Sequence, residues 1–366
     1  MKIAILGTRG IPNYHGGFEQ FAEHLSVFLV KNGHDIYVYN SSLHPYQKQE
    51  FKGVKIVHCK DLEDRIGTIG QFIYDLNCIL DLRKTKFDIV LQLGYTSSSI
   101  WHRFLPKASC IITNMDGLEW KRTKYRYWVQ RFLKHAEKLA VKSSDYLISD
   151  SIGIQKYLER EYGIESNYIA YGANPFTSPN EDVLLKFNLN PYKYNMLVAR
   201  LEPENNIETI LDGVVASHRK EPFLVIGKHN VNKFGIYLKE KYKRNENIRF
   251  LGGIYNFEQL NNLRYFSNLY FHGHSVGGTN PSLLEAIASK ALIIAHDNEF
   301  NKTILNSNAY YFKSADDISK YLTTIKKVSS REKIEMAFKD LENKYNWDLI
   351  NNQYLNFFNE CVAKLY

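Results

Sequence analysis

Apolar positions along the first half of the chain alternate between short β-branched runs and helical spacing. Lys2 to Leu6 reads as a strand, and Phe18, Phe21, Ala22, Leu25, Phe28 and Leu29 then follow the i, i+3, i+4, i+7 period of a helix that Gly33 stops. Strand-like runs at Asp35 to Tyr39 and Val54 to Val57 precede a second helical face carrying Ile69, Phe72, Ile73, Leu76, Ile79 and Leu80. The near-continuous apolar run Ile89 to Leu93 has the character of a strand covered on both faces, as in a parallel sheet. Ser109 to Thr113 and Tyr146 to Ser149 read as further strands separated by a long helix over 124–142, and a helix from Ser151 to Tyr162 ends at Gly163.

After Asn167 to Tyr171, the turn-rich stretch 172–180 breaks both periods and marks a domain joint. The pattern restarts with Met196 to Ala199, a helix carrying Ile207, Ile210, Leu211 and Val214, and strands at Phe223 to Ile226, Ile248 to Leu251, Leu269 to His272 and Leu292 to Ala295. Strands alternating with helices in both halves predict an α/β protein of two doubly wound, Rossmann-like domains. Their expected bounds are 1–172 and 173–345, with a C-terminal helix over 346–366 packing back on the first domain. Ligands of such sheets sit at the carboxyl ends of the strands, so a cleft between the halves is the expected site.

Length agrees with two domains: 366 residues, 44% hydrophobic and 23% charged, with no biased tract, exclude a stapled mini-protein and a disordered chain. A formal charge of +8 favours anionic partners: phosphorylated substrate, acidic lipid or nucleic acid. The basic residues carry no zinc-finger, RRM or helix-turn-helix frame, so nucleic acid is not expected. Cys59, Cys78, Cys110 and Cys361 are too scattered for a disulfide framework or a zinc site. The N-terminal apolar run is too short for a signal segment and no 18-residue apolar stretch occurs, so a cytoplasmic protein is expected.

Candidate chemistry gathers at three places. Gly7-Thr8-Arg9-Gly10 follows the first strand and Gly16-Gly17 stands before the first long helix, where backbone N–H groups and a helix dipole converge. Either an anion sits there, or the glycines serve turn geometry alone; the spacing departs from the dinucleotide fingerprint. The second place is His274-Ser275-Val276-Gly277-Gly278-Thr279-Asn280-Pro281-Ser282-Leu283-Leu284-Glu285, in which a helix opens at Pro281 and leaves N–H groups of Ser282 and Leu283 for a phosphate. Glu285, one turn in among apolar neighbours, either binds ligand hydroxyls or complements the dipole. The third is Asn114-Met115-Asp116-Gly117-Leu118-Glu119-Trp120 at the end of a strand, whose carboxylates either orient an acceptor or cap a helix.

These segments resemble the GT-B-fold glycosyltransferases of family 4, in which a Glu-x7-Glu segment opens a helix of the second domain and grips the nucleotide sugar. The second Glu matches Glu285, and the first falls on Gly277. The resemblance extends to the bacterial rhamnosyltransferase subgroup with a DUF1972-type first domain, through Gly-Thr-Arg-Gly-Ile-Pro at 7–12, Asp-Gly-Leu-Glu-Trp-Lys-Arg at 116–122 and Arg-Leu-Glu-Pro-Glu-Asn-Asn at 200–206. It implies a GT-B architecture, with two Rossmann-like domains facing a deep cleft, and a retaining transfer from a nucleoside diphosphate sugar. No metal and no other cofactor is implied, and no compelling Asp-x-Asp pair is present. The favoured donor is dTDP-L-rhamnose, and the acceptor a lipid-linked precursor of a surface polysaccharide, capsule or O-antigen.

On this resemblance Asp116, Glu119 and Arg200 are the catalytic candidates. Arg9, Gly16, Gly17, Asn205, His274, Gly278, Thr279, Asn280, Ser282, Leu283 and Glu285 are the donor-binding ones. Family members pair the Arg with a Lys five residues on; position 205 is Asn, whose amide offers a neutral hydrogen bond, and Arg9 is the candidate second cation. A nucleotide-sugar 2-epimerase of the same architecture and an inactive scaffold are the alternatives. The segment from Lys121 to Lys142 sets eight cations, Lys124, Arg126, Arg131 and Lys134 among them, against Glu137, interleaved with Tyr125, Tyr127, Trp128 and Phe132. Either it docks the enzyme peripherally on the anionic inner face of a bacterial plasma membrane, or it is a solvated face whose aromatics pack inward.

Overall fold

Ile89–Leu93 is buried at every position, and such a strand must be paired and covered on both sides. In the computed structural model, which describes residues 1–14, 16–122, 125–275 and 278–364, it lies inside an eight-stranded sheet. The strands are β1 (Lys2–Leu6), β2 (Asp35–Ser41), β3 (Glu50–Phe51), β4 (Val54–Cys59), β5 (Ile89–Leu93), β6 (Cys110–Asn114), β7 (Tyr146–Ser149) and β8 (Asn167–Tyr168), in the order β3-β4-β2-β1-β5-β6-β7-β8. All pair in parallel except β3, which joins β4 as a hairpin across Lys52-Gly53, both at positive φ. β8 is shorter than the apolar run predicts because only two residues find partners on β7.

The first unit's helices are α1 (Gly17–Lys31), α2 (Glu63–Ile66), α3 (Thr68–Leu82), α4 (Tyr127–Ser143) and α5 (Ile152–Tyr162). α1 buries Phe21, Ala22, Leu25 and Leu29, and Gly163 caps α5 in the left-handed conformation at φ 65°.

A second sheet follows: β9 (Asn195–Val198), β10 (Phe223–Ile226), β11 (Ile248–Gly252), β12 (Leu269–His272), β13 (Ile293–His296) and β14 (Tyr310–Phe312), all parallel, in the order β11-β10-β9-β12-β13-β14. It is flanked by α6 (Ile207–Ala216), α7 (Lys233–Lys241), α8 (Phe257–Phe266), α9 (Pro281–Ala288), α10 (Glu299–Leu305), α11 (Ala315–Thr324) and α12 (Arg331–Lys344). Its core joins Leu197, Phe223, Phe271 and Ile294 of the sheet to Ile210, Leu211 and Ile318 of the helices.

Contacts divide the chain into residues 1–121, 125–171 and the segment from Trp347 onward as one unit, and 172–346, with Arg122, as the other. The last helix, α13 (Trp347–Ala363), thus belongs to the first unit. Trp347 stacks on His24 at 4.4 Å, Tyr354 packs on Phe21 at 4.9 Å, and the Tyr354 hydroxyl accepts from Asn114 Nδ2 at 2.9 Å. Each sheet reverses its strand order once, between β1 and β5 and between β9 and β12, and the carboxyl ends at such a reversal form a ligand crevice.

Candidate active site

At the β1/β5 reversal the loop after β1 is built on glycine. Gly7 has φ 86°, and a Cβ there would lie 2.2 Å from the Leu93 carbonyl oxygen. Several N–H groups of this loop are taken by side chains. The Arg9 N–H donates to Glu19 at 2.9 Å, the Asn13 N–H to Glu23 at 2.9 Å, and the Ile11 N–H to Asn40 at 3.1 Å. Two of these acceptors are the carboxylates of Glu19 and Glu23 on α1 itself. Gly16 donates to Asn13 at 3.2 Å and Gly17 opens α1, its carbonyl accepting from Tyr171 at 3.2 Å. The Arg9 guanidinium, expected to serve the donor, grips both Glu63 oxygens at 2.6 Å.

Asp116 follows β6 with φ 46°, a left-handed backbone uncommon for a residue with a side chain, and its N–H donates to Asn114 Oδ1 at 3.0 Å. Glu119 opens the 3-10 turn Glu119–Lys121, so Asp116 lies two residues short of the cap position and the capping alternative fails. Beneath this segment Glu137 accepts from Trp120 Nε1 at 3.0 Å, the Tyr157 and Tyr162 hydroxyls at 2.6 Å and the Tyr95 hydroxyl at 3.3 Å. Sequence reading counted Glu137 only as charge. The signal was its place on the buried stripe of Leu133, Ala136, Ala140 and Val141.

Asp75 was also missed, although it lies in register with Cys78, Ile79 and Leu82 on α3. Burial pushes its carboxyl up to about 7, and Ser97 donates to it.

On α4 the aromatics face outward: Trp128 is 74% exposed and Tyr127 61%, beside exposed Arg126 and Arg131. Lys134, counted with the docking cations, is instead committed to Glu137 at 3.1 Å and Glu161 at 3.0 Å. Lys124 lies outside the described residues.

The second unit's site forms at the β9/β12 reversal. Arg200 follows β9, is exposed, and makes no hydrogen bond or ion pair through its guanidinium among the described residues. Its carbonyl accepts from Asn205 Nδ2 at 2.6 Å and from the Glu202 N–H at 2.8 Å. Asn205 is therefore a buried latch on the Arg200 turn, with its NH2 turned inward to the backbone rather than outward to a phosphate. Across the reversal, Gly273 approaches so closely that a Cβ would lie 2.0 Å from the Asn205 carbonyl oxygen, and Ser275 donates to the Glu204 carbonyl through N–H at 3.1 Å and Oγ at 2.7 Å. His272 and His274 stack at 4.4 Å. Burial, and then the Arg200 charge, push the His274 ring down to about 3, so it is neutral at physiological pH. Both His272 ring nitrogens and His274 Nδ1 are buried without partners.

The helix start differs from expectation. Asn280 caps α9, its side chain accepting from the Ser282 N–H at 3.0 Å and its carbonyl from the Leu283 N–H at 3.0 Å, so neither amide is open. Ser282 Oγ shares a hydrogen bond with the Tyr270 hydroxyl at 2.8 Å, Thr279 is buried, and Gly278 is half-buried. Gly277 lies outside the described residues. Glu285 accepts from Arg264 of α8 at 2.7 Å, which commits one carboxylate oxygen to a buried cation. Among the described residues no three His, Cys, Asp or Glu side chains are grouped to hold a metal ion. The chemistry available here is anion capture, by the free Arg200 charge beside a neutral imidazole.

The model of a domain of unknown function, DUF1972, matches residues 1–174, and that of glycosyl transferases group 1 matches residues 186–344. No curated protein matches the chain. Among solved structures, the chain is similar to sucrose-phosphate synthase from Thermosynechococcus elongatus, with TM-score 0.81, 15% identity and 99% of each chain covered. It is also similar to Anabaena HepE in complex with UDP and glucose, with TM-score 0.77, 14% identity and 98% and 100% of the two chains covered. A glycosyltransferase from Rickettsia africae follows at TM-score 0.70, 14% identity and 99% of each chain. With a DUF1972 domain followed by a glycosyl transferases group 1 domain on the GT-B fold, the chain is a hexosyltransferase.

Proposed function

We propose that this hexosyltransferase moves L-rhamnose from dTDP-L-rhamnose, with retention, onto a lipid-linked precursor of a surface polysaccharide at the inner face of a bacterial plasma membrane. The observation that carries the reading is Arg200, an exposed cation at the carboxyl edge of the second sheet whose guanidinium has no partner among the described residues. A nucleoside diphosphate is the ligand such a group suits, and HepE has been solved with UDP-glucose. The three motifs shared with rhamnosyltransferases favour the sugar, and the outward aromatics of α4 beside Arg126 and Arg131 favour a membrane-borne acceptor.

In this reading Arg200 neutralises the diphosphate as the bond from the sugar C1 to the phosphate oxygen breaks. The acceptor oxygen bonds to C1 from the same face, and its proton passes to the departing phosphate oxygen. Asp116 or Glu119 orients the acceptor hydroxyl. His274 and the free oxygen of Glu285 hold donor hydroxyls, and no metal is called on.

A panel of nucleotide sugars screened by thermal stabilisation tests the donor, because a ligand that binds only the folded state raises the melting temperature. The largest shift is expected with dTDP-L-rhamnose, and transfer should follow only with a lipid-linked acceptor. Release of a sugar isomer without acceptor would identify a 2-epimerase instead, and a larger shift with another donor would replace rhamnose.

A further inference from the structure

At the opposite end of the first sheet from the carboxyl edge, the segments entering β5 and β6 border an open cavity of about 550 Å³ lined by Arg83, Lys84, Lys86, Arg103 and Lys107, with no acidic residue in its lining. Lys84 is held by Asp81 at 2.6 Å; the other four side chains are exposed and make no ion pair or hydrogen bond among the described residues. Apart from Lys84, these like charges are gathered with no ion-pair partner among the described residues, and an anion would relieve their mutual repulsion.

The surroundings are apolar in a way a soluble anion does not need. Exposed Phe104 adjoins Arg103, and exposed Leu80 lies one turn before Arg83 and Lys84. From there aromatic rings lead along one helical layer. Trp101 is 6.4 Å from Phe104 and donates its Nε1–H to the Phe72 carbonyl at 2.8 Å, and the Phe72 ring is 5.8 Å from Phe132 of α4. That layer also exposes Ile69 and Trp128. Cations beside exposed apolar side chains match a bilayer interface, where phosphates and the acyl boundary lie a few ångströms apart.

We infer that this cavity receives the phosphate headgroup of an anionic phospholipid, with Phe104 and Leu80 entering the interface beside it. The inference rests on the membrane reading proposed above and deepens it, giving the first unit a headgroup site separate from α4.

The test is sedimentation of the full chain with vesicles of phosphatidylcholine alone or mixed equally with phosphatidylglycerol, at low salt. Each cation near such a surface raises partition about five-fold, so R83E/K86E/R103E/K107E should bind the mixed vesicles at least about 100-fold less than the unsubstituted chain. All four side chains are exposed, so this variant should keep the melting temperature. L80S/F104S, with charge unchanged, should also weaken binding. Wild-type affinity in the cavity variant, with binding lost in R126E/R131E, would overturn the cavity and leave membrane docking through α4 standing. Failure of the unsubstituted chain to sediment with the mixed vesicles would overturn both. Thermal stabilisation by inorganic diphosphate that disappears in the cavity variant, with vesicle binding unchanged, would reassign the cavity to a soluble anion and overturn the lipid assignment.

Discussion

Arg264 and Glu285 form an ion pair of 2.7 Å between α8 and α9, the guanidinium side chain 1% exposed and the carboxylate 16%. The helix that opens beside the Arg200 loop is thus fastened to its neighbour through the carboxylate assigned to the donor. A buried charge stripped of its partner is costly, whereas removing both charges is often mild.

Glu285→Ala should therefore unfold before it fails to bind. We expect a loss of about 3 kcal/mol or more, a drop of roughly 6–12 °C in melting temperature. Glu285→Gln, which can still accept from Arg264, should lose less, and the double change Arg264→Met with Glu285→Leu should recover much of the loss. A double-mutant cycle read by melting temperature checks this, and additive losses would refute the coupling.

Arg200→Ala should leave the melting temperature unchanged, because the side chain is exposed and has no partner among the described residues. Turnover should fall by about 10²–10³-fold with a smaller change in donor affinity, since the charge it meets builds in the transition state. Steady-state kinetics with the donor found by the panel checks this, and wild-type turnover would move the neutralising group elsewhere.

Burial holds the His272 ring pKa well below its ordinary 6.5. The unfolded chain gains a proton below that value and the folded chain does not, so stability is lost as pH falls from about 6.5. His272→Phe removes the titration and two unpartnered nitrogens, and should raise the melting temperature more near pH 5 than near pH 8. An equal gain at both values would show that the ring titrates normally.

Asp75 has the opposite sign. Its folded carboxyl holds its proton up to about 7, against 3.8 ordinarily, so its destabilisation is full above pH 7 and shrinks as pH falls toward 3.8. Asp75→Asn, whose carbonyl can still accept from Ser97, should stabilise most near pH 8 and progressively less toward pH 4. Thermal melts across that range read the slope directly.

Glu137→Ala leaves Lys134 with Glu161 alone and takes the acceptor from the Tyr157, Tyr162 and Trp120 donors, a loss of about 3 kcal/mol or more, whereas Glu137→Gln keeps two acceptor lone pairs and should lose less. Near-ultraviolet circular dichroism, sensitive to the packing of Trp120, should change in the Ala variant and largely recover in the Gln variant.

What the chain's sequence determined by itself is local and periodic. β5 shows as an unbroken apolar run, α1 as a 3.6-residue repeat and the end of α5 as a glycine at φ 65°, because each depends on one segment's backbone and the face it must bury. A helix start and a strand end brought Glu285 and Asp116 to notice, and a family motif Arg200. Only the tertiary structure decided what those side chains touch. Arg9 meets Glu63 across 54 positions, Glu285 meets Arg264 across 21, and Trp347 returns to His24 of the first unit, pairings with no period to announce them. The N–H groups of Ser282 and Leu283 look open in sequence and are closed by Asn280, since a helix start is free only if no nearby polar group reaches it first. The same holds for α4. Its charges and aromatics are plain in the sequence, but which of them face out was set by the neighbours that claimed Lys134 and Glu137 for the interior.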